Sequence, residues 1–373
     1  MPVNRRLRAR ILGARGDRGA VATTVALLLG SGVLLGMAAL VVDLGNLYVE
    51  RGQLQNGADA GAIKVAQICA TDPADCSPDV TDFDDVVDRY ADRNANDGAA
   101  AATVCGRGGE LPACAPWENR LTDCVGPPPV GGSYVEVHTS TRGDDDSTVL
   151  PPVFAQAVVG GYEGAQVGAC SRVAWGPPAR ATTLALAVSI CDWNRYTTDT
   201  TDGRQYDEEE AVLPVYDETA PKACGVAGTS AENLGGYRWL EDADRECRAT
   251  ASIAEADGYS VSTGDSRPRG RADDCDKALA SLRTSKQPVL VPVFDQVTGR
   301  GGTARYHVSG FAAFVVTGWH LPTSKVPSRL TGQDSCADEE RSCIFGYFTQ
   351  TLVPGGGAIG GPDLGAHVVA PIG

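Results

Sequence analysis

The chain has 373 residues, of which 43% are hydrophobic, and it contains 45 glycines and 12 cysteines. A chain of this length and hydrophobic content buries at least one core, which excludes a disordered tail or a disulfide-stabilised miniprotein. The formal net charge is −15. This acidic excess argues against a nucleic-acid partner, because phosphate backbones are bound through clustered lysines and arginines.

A basic tail precedes the most informative stretch of the chain. Residues 1–19 carry six arginines and one aspartate, and residues 20–42 form a run of 23 residues without a charge. A helix of that length covers about 34 Å, which is enough to span a bilayer. The positive-inside rule assigns residues 1–19 to the cytoplasm and everything from Asp43 to the outside. We therefore predict a single-pass protein of the cell membrane with an extracytoplasmic bulk.

A cleaved secretory signal is the alternative reading of this start, since it also has basic residues followed by an apolar run. The run here is longer than the usual signal core of about 7–15 residues, and a helical pattern continues after Val42. Both features favour a permanent anchor.

Within the predicted anchor, Gly32 and Gly36 form a GxxxG step. Such a step allows close approach of a second helix, including one from another copy of this chain.

Residues 43–72 are predicted to continue outward as an amphipathic helix that ends near Pro73. The apolar positions recur mostly at intervals of three and four residues, which is typical of one helical face. They are Leu44, Leu47, Tyr48, Leu54, Ala58, Ala62 and Val65. This face either docks on the chain's own outer domain or binds a partner, and the pattern alone leaves both open.

All the cysteines follow the apolar run and their number is even, which indicates disulfides in an oxidising compartment. None lies in a CxxC motif, so the spacings do not match structural zinc sites. The short spacings favour bridges from Cys69 to Cys76 and from Cys336 to Cys343. A bridge from Cys105 to either Cys114 or Cys124 comes next, and the other pairings stay open.

The rest of the chain divides by composition. Residues 73–178 form a Cys- and Gly-rich mixed region with a short amphipathic helix within 79–98 and a strand that starts near Tyr134. Residues 179–354 contain short β-rich runs separated by turns, which predicts a mainly antiparallel β domain. Residues 355–373 are predicted to be a flexible Gly-rich tail. The fold class is therefore α+β.

The N-terminal stretch RGAVATTVALLLGSGVLLGMAALVVDLGNLYVERGQLQNGADAGAIKVA carries a family resemblance. It combines a glycine-preceded apolar helix, an Asp-Leu-Gly at its outer end and the segment Leu-Gln-Asn-Gly-Ala-Asp-Ala. It resembles the N-terminal module of TadG/TadE-like proteins of the Flp pilus (tight adherence) system. Later stretches such as YVEVHTSTR and RYHVSGFAAFVVTGWHLP resemble the body of the long actinobacterial members. The resemblance implies pilus assembly, with other single-span, pilin-like proteins as partners.

Two departures from related proteins limit this inference. Processed pseudopilins carry a glutamate five residues after the cleavage-site glycine, whereas Thr24 is the fifth residue after Gly19 here. Cleavage at Gly19 is therefore not expected. Larger TadG proteins often contain a von Willebrand A domain whose metal site needs a DxSxS motif, but the corresponding strand here reads LALAVSICDWN. We predict no such metal site.

No sequence signature of catalysis accompanies these features. The four histidines, His138, His307, His320 and His367, lie outside any HExxH, GxSxG or Cys-His motif, and we predict ordinary structural or surface roles for them. We expect a noncatalytic assembly or secretion component without cofactor or metal. The alternatives are a membrane-tethered extracellular adhesin or ligand-binding module unrelated to pili, and a tethered hydrolase whose site is assembled from distant residues.

Overall fold

A computed structural model describes most of the chain. The described residues are 16–30, 32–143, 147–157, 160–200, 203–207, 209–214, 236–240, 246–253, 260–261, 272–298, 305–322, 324–336, 342–354 and 357–373. Most of the predicted basic tail, residues 1–15, lies outside them. The architecture is α+β, with helices at the N-terminal end and a mostly β region with disulfides beyond them, which confirms the predicted class.

The helices of the described residues are α1 (Gly16–Gly30), α2 (Val33–Thr71), α3 (Phe83–Asn94), α4 (Ile190–Arg195) and α5 (Ala272–Ser285). The second helix has 39 residues, so it is about 59 Å long at the standard rise of 1.5 Å per residue. Asp72 ends it and caps a short 3₁₀ turn, because its carboxylate accepts from the N–H of Ala74. The amphipathic α3 lies within the predicted stretch 79–98.

The apolar run is divided between α1 and the beginning of α2, and α2 continues without a break past residue 42. Gly32 separates α1 from α2 and has φ +74°. This left-handed conformation suits glycine because it lacks a Cβ atom. The N–H of Gly36 donates to the carbonyl of Gly32 at 2.8 Å, so the second helix starts at once. In the part of the chain that the structure describes, no helix has both the length and the apolar character required to cross a membrane.

The strands of the described residues follow in chain order, numbered β1 to β21. They are β1 (Ala100–Arg107), β2 (Ser133–Thr141), β3 (Val149–Leu150), β4 (Ala165–Gln166), β5 (Gly168–Gly176), β6 (Pro178–Leu184), β7 (Leu186–Ser189), β8 (Thr198–Thr200), β9 (Gly203–Gln205), β10 (Ala211–Pro214), β11 (Tyr237–Trp239), β12 (Arg248–Ser252), β13 (Ser260–Val261), β14 (Val289–Thr298), β15 (Arg305–His320), β16 (Lys325–Val326), β17 (Cys343–Thr349), β18 (Thr351–Leu352), β19 (Gly357–Ile359), β20 (Asp363–Leu364) and β21 (Ala366–Pro371).

The first sheet has the strand order β1-β2-β5-β21-β18 and carries α2 and α3. Its first three strands are antiparallel neighbours, with Val104 opposite Val137 and Val135 opposite Val173. The C-terminal strand β21 pairs with β5 and puts Val369 opposite Trp175. Residues 357–373, for which a flexible tail was expected, are therefore built into sheets. Their hydrogen bonds to distant strands are the reason, and local composition does not report such contacts.

The larger second sheet has the path β10-β17-β15-β14-β7-β11, and β13, β16 and β20 also pair with β15. Most of its pairs are antiparallel, while β14 with β7 and β15 with β20 are parallel. A third sheet, β12-β6-β19, adjoins it because only Ala185 separates β6 from β7. Phe314 and Phe348 pack at 5.1 Å between ring centroids in the core of the second sheet.

Five disulfides join described cysteines: Cys69–Cys76, Cys105–Cys114, Cys124–Cys170, Cys247–Cys275 and Cys336–Cys343. They include both short-loop pairs that the spacing favours. Of the two partners considered for Cys105, the structure contains Cys114, and Cys124 instead pairs across to β5. Such bridges stabilise a loop-rich body by restricting its unfolded chain, typically by about 2–4 kcal/mol each.

Candidate functional site

Helix α1 and the beginning of α2 expose large apolar side chains. Consecutive helical residues point about 100° apart, so exposure at neighbouring positions means that the apolar surface extends around the helix. Such positions occur in both helices. The exposed side chains are Val21, Val25, Leu27, Leu28, Leu29, Val33, Met37, Leu40, Val41 and Val42. The exposed apolar side chains are therefore not confined to one face of either helix.

The predicted apolar face of residues 43–72 divides into an exposed and a buried half. Leu44 is exposed and Tyr48 is 77% exposed, whereas Leu47 is half-buried. From Leu54 onward the face is buried in the core between α2, α3 and the first sheet, and its buried members include Ala58, Ala62 and Val65. The C-terminal half of this face, from Leu54 onward, therefore docks on the chain's own body. The N-terminal half, which is nearest the uncharged run, stays exposed.

Small residues let α2 approach its neighbours closely. A Cβ atom added at Gly57 would lie only 2.9 Å from the Cα of Ala91 on α3. At Gly61 the added atom would be 3.5 Å from a methyl carbon of Val87 and 3.6 Å from one of Val137. Gly57 belongs to the Leu-Gln-Asn-Gly-Ala-Asp-Ala segment. This segment therefore has a packing role in the body.

Polar side chains of α2 add specific contacts with the first sheet. The hydroxyl of Thr141 donates to Glu50 Oε1 at 2.9 Å, and Gln55 Nε2 donates to the carbonyl of Cys170 at 3.0 Å. Five residues separate the two side chains, which places them about 140° apart around the helix, so they hold α2 from two sides against β2 and β5. These contacts fix the rotation of the helix as well as its position.

Asp43, the first charged residue after the uncharged run, is buried. Its carboxylate accepts from three consecutive backbone N–H groups: Val153 at 2.8 Å, Phe154 at 3.2 Å and Ala155 at 2.5 Å. The side chain thus holds a distant loop at the point where the run ends. Sequence reasoning treated Asp43 only as an acidic flank. Its position as a single acid at the boundary of an apolar stretch is the signal that was available.

A buried ionic cluster lies where β2 meets β5. Arg172 Nε donates to Glu136 Oε1 at 2.6 Å, and both side chains are buried. His138 has Nε2 3.2 Å from Glu136 Oε2 and Nδ1 3.1 Å from the carbonyl oxygen of Thr122. Because both neighbours are acceptors, they suit a protonated imidazole that donates from both nitrogens.

These contacts move the pKa values of the cluster in opposite directions. Burial raises the pKa of Glu136, but hydrogen bonds from His138 and Arg172 outweigh it and hold the pKa below its usual value. The hydrogen bond to Glu136 raises the pKa of His138. The ionised forms of both groups are therefore favoured in the folded protein.

A second histidine joins the C-terminal strand to the far end of α2. His367 has Nδ1 3.2 Å from the carbonyl oxygen of Ala70 and Nε2 3.3 Å from Asp363 Oδ2. The hydrogen bond to Asp363 raises the pKa of His367, and the same contact lowers the pKa of the carboxyl. A third histidine, His307, is paired through Nδ1 with Asp295 Oδ1 at 2.5 Å. These contacts indicate structural roles.

Four side chains with metal-ligating atoms lie together near the ionic cluster: Cys124, Glu136, His138 and Cys170. Their ligand atoms are all within 4.8 Å of one another. The two cysteines are joined to each other, so neither offers a thiolate, which is the form that binds metal. Glu136 is moreover engaged by Arg172. These side chains therefore form a buried ion pair that packs beside the Cys124–Cys170 disulfide.

The match to a known family covers the N-terminal helices. Residues 19–67 match the Tad family model, described as Flp pilus-assembly TadE/G-like. The match confirms the resemblance over these residues and supports a role in Flp/Tad pilus assembly. No curated protein and no solved structure matches the chain. The matched residues include most of α1 and nearly all of α2, the helix that passes from the exposed apolar run into the core.

Proposed function

We propose that this chain is a membrane-anchored, noncatalytic component of Flp/Tad pilus assembly that contacts pilus or secretion partners through its exterior domain. Residues 20–42 cross the membrane as α1 and the beginning of α2, joined at Gly32. The N-terminus is cytoplasmic and the disulfide-bonded body is extracytoplasmic.

The observation that carries this proposal is the continuity of α2. One helix starts among exposed apolar residues such as Met37 and Val41 and ends with Val65 and Cys69 buried in the body. A continuous, hydrogen-bonded helix transmits orientation better than a flexible linker. The body is thus held in a defined orientation to the membrane, as an assembly component needs to be.

Charge and disulfides support the direction of insertion. The arginine-rich residues 1–19 precede the uncharged run, and the acidic body follows it. Arginines near an apolar segment favour the cytoplasmic side. The body contains disulfides such as Cys247–Cys275, which persist in an oxidising, extracytoplasmic compartment.

Partner contacts within the membrane are proposed for the surface around Gly32 and Gly36. Other single-span, pilin-like proteins are the partners implied by the family, and a second copy of this chain is another. Small residues allow close helix approach in lipid, where packing rather than the hydrophobic effect drives association. The exposed neighbour Met37 supplies an adaptable apolar contact.

A deletion strain complemented with matched lysine variants tests the proposal. Val33→Lys puts a charge near the middle of the uncharged run, at a cost of about 2.5–3.5 kcal/mol for insertion. Val80→Lys is the control, because Val80 is an exposed valine of the body. We expect Val33→Lys to lose both membrane retention and pili, while Val80→Lys keeps both. Normal pili in the deletion strain would contradict the assembly role and favour the adhesin.

A further inference from the structure

An exposed apolar patch lies on the body beside the point where the uncharged run ends. We propose that Leu44, Tyr48, Val153 and Phe154, here called the apolar collar, contact the boundary between lipid headgroups and acyl chains. Through the collar, the body contacts the membrane surface in addition to being held by the anchor. This inference rests on the proposed membrane anchor, because the collar sets how close the body lies to the membrane.

Asp43 fixes the depth of the collar. Its carboxylate holds the N–H groups of Val153 and Phe154, so both residues lie at the level of the first charge after the run. If residues 20–42 are in the bilayer, that level is the outer boundary of its apolar layer. Because the donors are backbone groups, the side chains of Val153 and Phe154 are left for other contacts.

The loop that carries Val153 and Phe154 is suited to a lipid surface. Residues 147–162 contain no charged side chain, in a chain in which 21% of the residues are charged. Val153 is 56% exposed and Phe154 49% exposed, while the next residue, Ala155, is buried. The loop therefore points two large apolar groups away from the body. Contact with lipid removes that apolar surface from water.

The exposed half of α2 adds two apolar side chains close to the level of Asp43, about 100° and 140° around the helix from it. Leu44 follows Asp43 directly, and Tyr48 lies five residues beyond Asp43, which is about 7.5 Å along the helix. Tyrosine is enriched at membrane interfaces, because its ring is apolar and its hydroxyl remains hydrated. A highly exposed tyrosine at this distance suits the headgroup region.

The first sheet provides a control position far from the collar. Its strand β2 runs back along α2, with Thr141 at Glu50 and Val137 near Gly61. The other end of β2, Ser133, is eight residues from Thr141, which is about 26 Å along the strand. There Arg107 holds the carbonyl of Val130, whose side chain is fully exposed.

Tryptophan reporters in the full chain, reconstituted into liposomes of brominated phosphatidylcholine, test the collar. Bromine on the acyl chains quenches only tryptophans that contact lipid. The variants are Phe154→Trp and Val153→Trp in the collar, Leu40→Trp in the anchor and Val130→Trp at the far end. The emission added to that of the native tryptophans is compared with unbrominated liposomes.

We expect the added emission to be lost at positions 40, 153 and 154 and retained at position 130. Quenching at position 40 with none at 153 or 154 would overturn the collar and leave the anchor standing. Quenching at 153 and 154 without quenching at 40 would contradict the anchor while supporting lipid contact by the loop. Equal quenching at position 130 would overturn the proposed depth.

Discussion

Arg172 and Glu136 form a buried ion pair on neighbouring strands, with Nε 2.6 Å from Oε1. The guanidinium also donates through Nη1 to the carbonyls of Gly126 and Pro127. The pair thereby ties the first sheet to the loop that follows Cys124. A buried pair of this kind need not add net stability, but loss of one partner leaves the other charge uncompensated.

We predict that Glu136→Gln lowers the free energy of unfolding by about 3–5 kcal/mol, because the Arg172 charge stays buried. Glu118→Gln is the matched control, since its pair with Arg120 is exposed and such pairs contribute about 0–1 kcal/mol. Urea denaturation with the disulfides intact measures both variants. Equal changes in the free energy of unfolding for the two substitutions would show that the buried pair contributes no more to stability than the exposed pair.

Two of the histidine–carboxylate pairs, His138 with Glu136 and His367 with Asp363, predict a pH dependence. Because Glu136 and Asp363 raise the pKa values of His138 and His367 in the folded state, their stabilisation is fully present below about pH 6.5, the unperturbed histidine pKa. It is lost as the pH rises through the raised values. The same pairs lower the pKa values of Glu136 and Asp363, so the stabilisation from the ionised carboxylates is lost as the pH falls through those lowered values. Stability is therefore greatest between the lowered carboxyl pKa values and the raised histidine pKa values.

The double variant His138→Gln/His367→Gln tests this dependence. We expect the unmodified protein to lose thermal stability above about pH 6.5 and the double variant to show a flatter profile there. His320→Gln, outside both pairs, should retain the fall. A double variant with the same pH profile as the unmodified protein would rule out these pairs as its source.

Two glycines of α2 are predicted to respond to the same substitution with opposite signs. Gly57→Ala puts a Cβ atom 2.9 Å from the Cα of Ala91, and such overpacking costs about 1–3 kcal/mol. At Gly52 an added Cβ atom has no neighbour within 4 Å, so alanine stabilises the helix by about 0.5–1 kcal/mol. Thermal unfolding measures both. Stabilisation by Gly57→Ala would contradict the close approach of α2 and α3.

The loop held by Asp43 is predicted to open when its acceptor is removed. Asp43→Ala leaves the N–H groups of residues 153–155 without their carboxylate, at a cost of about 1–3 kcal/mol if they stay buried. Asp84→Ala is the control, because Asp84 is an exposed carboxylate on α3. Hydrogen exchange at residues 153–155 should accelerate only in Asp43→Ala. Unchanged exchange would mean that other contacts hold the loop.

The sequence predicts elements with strong local signals. The apolar spacing of Phe83 and Val87 predicts α3, and the β-formers around Val135 and Val137 predict β2. The short loop between Cys69 and Cys76 likewise favours their bridge. In each case the signal lies within about ten residues, so no distant contact is needed.

The elements missed by sequence analysis depend on contacts between distant residues. The alanine-rich β1 has little strand propensity and forms by pairing with β2. The final strand β21 pairs with β5, almost 200 residues earlier in the chain. The role of Asp43 likewise depends on a loop more than 100 residues away. The break at Gly32 is local, but an uncharged run does not specify where a glycine adopts φ +74°.

Labelling of intact, wall-stripped cells with a membrane-impermeant amine reagent tests the proposed topology most directly. Lys277, Lys286 and Lys325 are exposed on the body, and residues 1–42 contain no lysine. An Arg8→Lys variant therefore supplies a single reporter side chain in the basic tail. We predict modification of the three body lysines in intact cells, with Lys at position 8 modified only after lysis. Modification at position 8 with protected body lysines would contradict the topology.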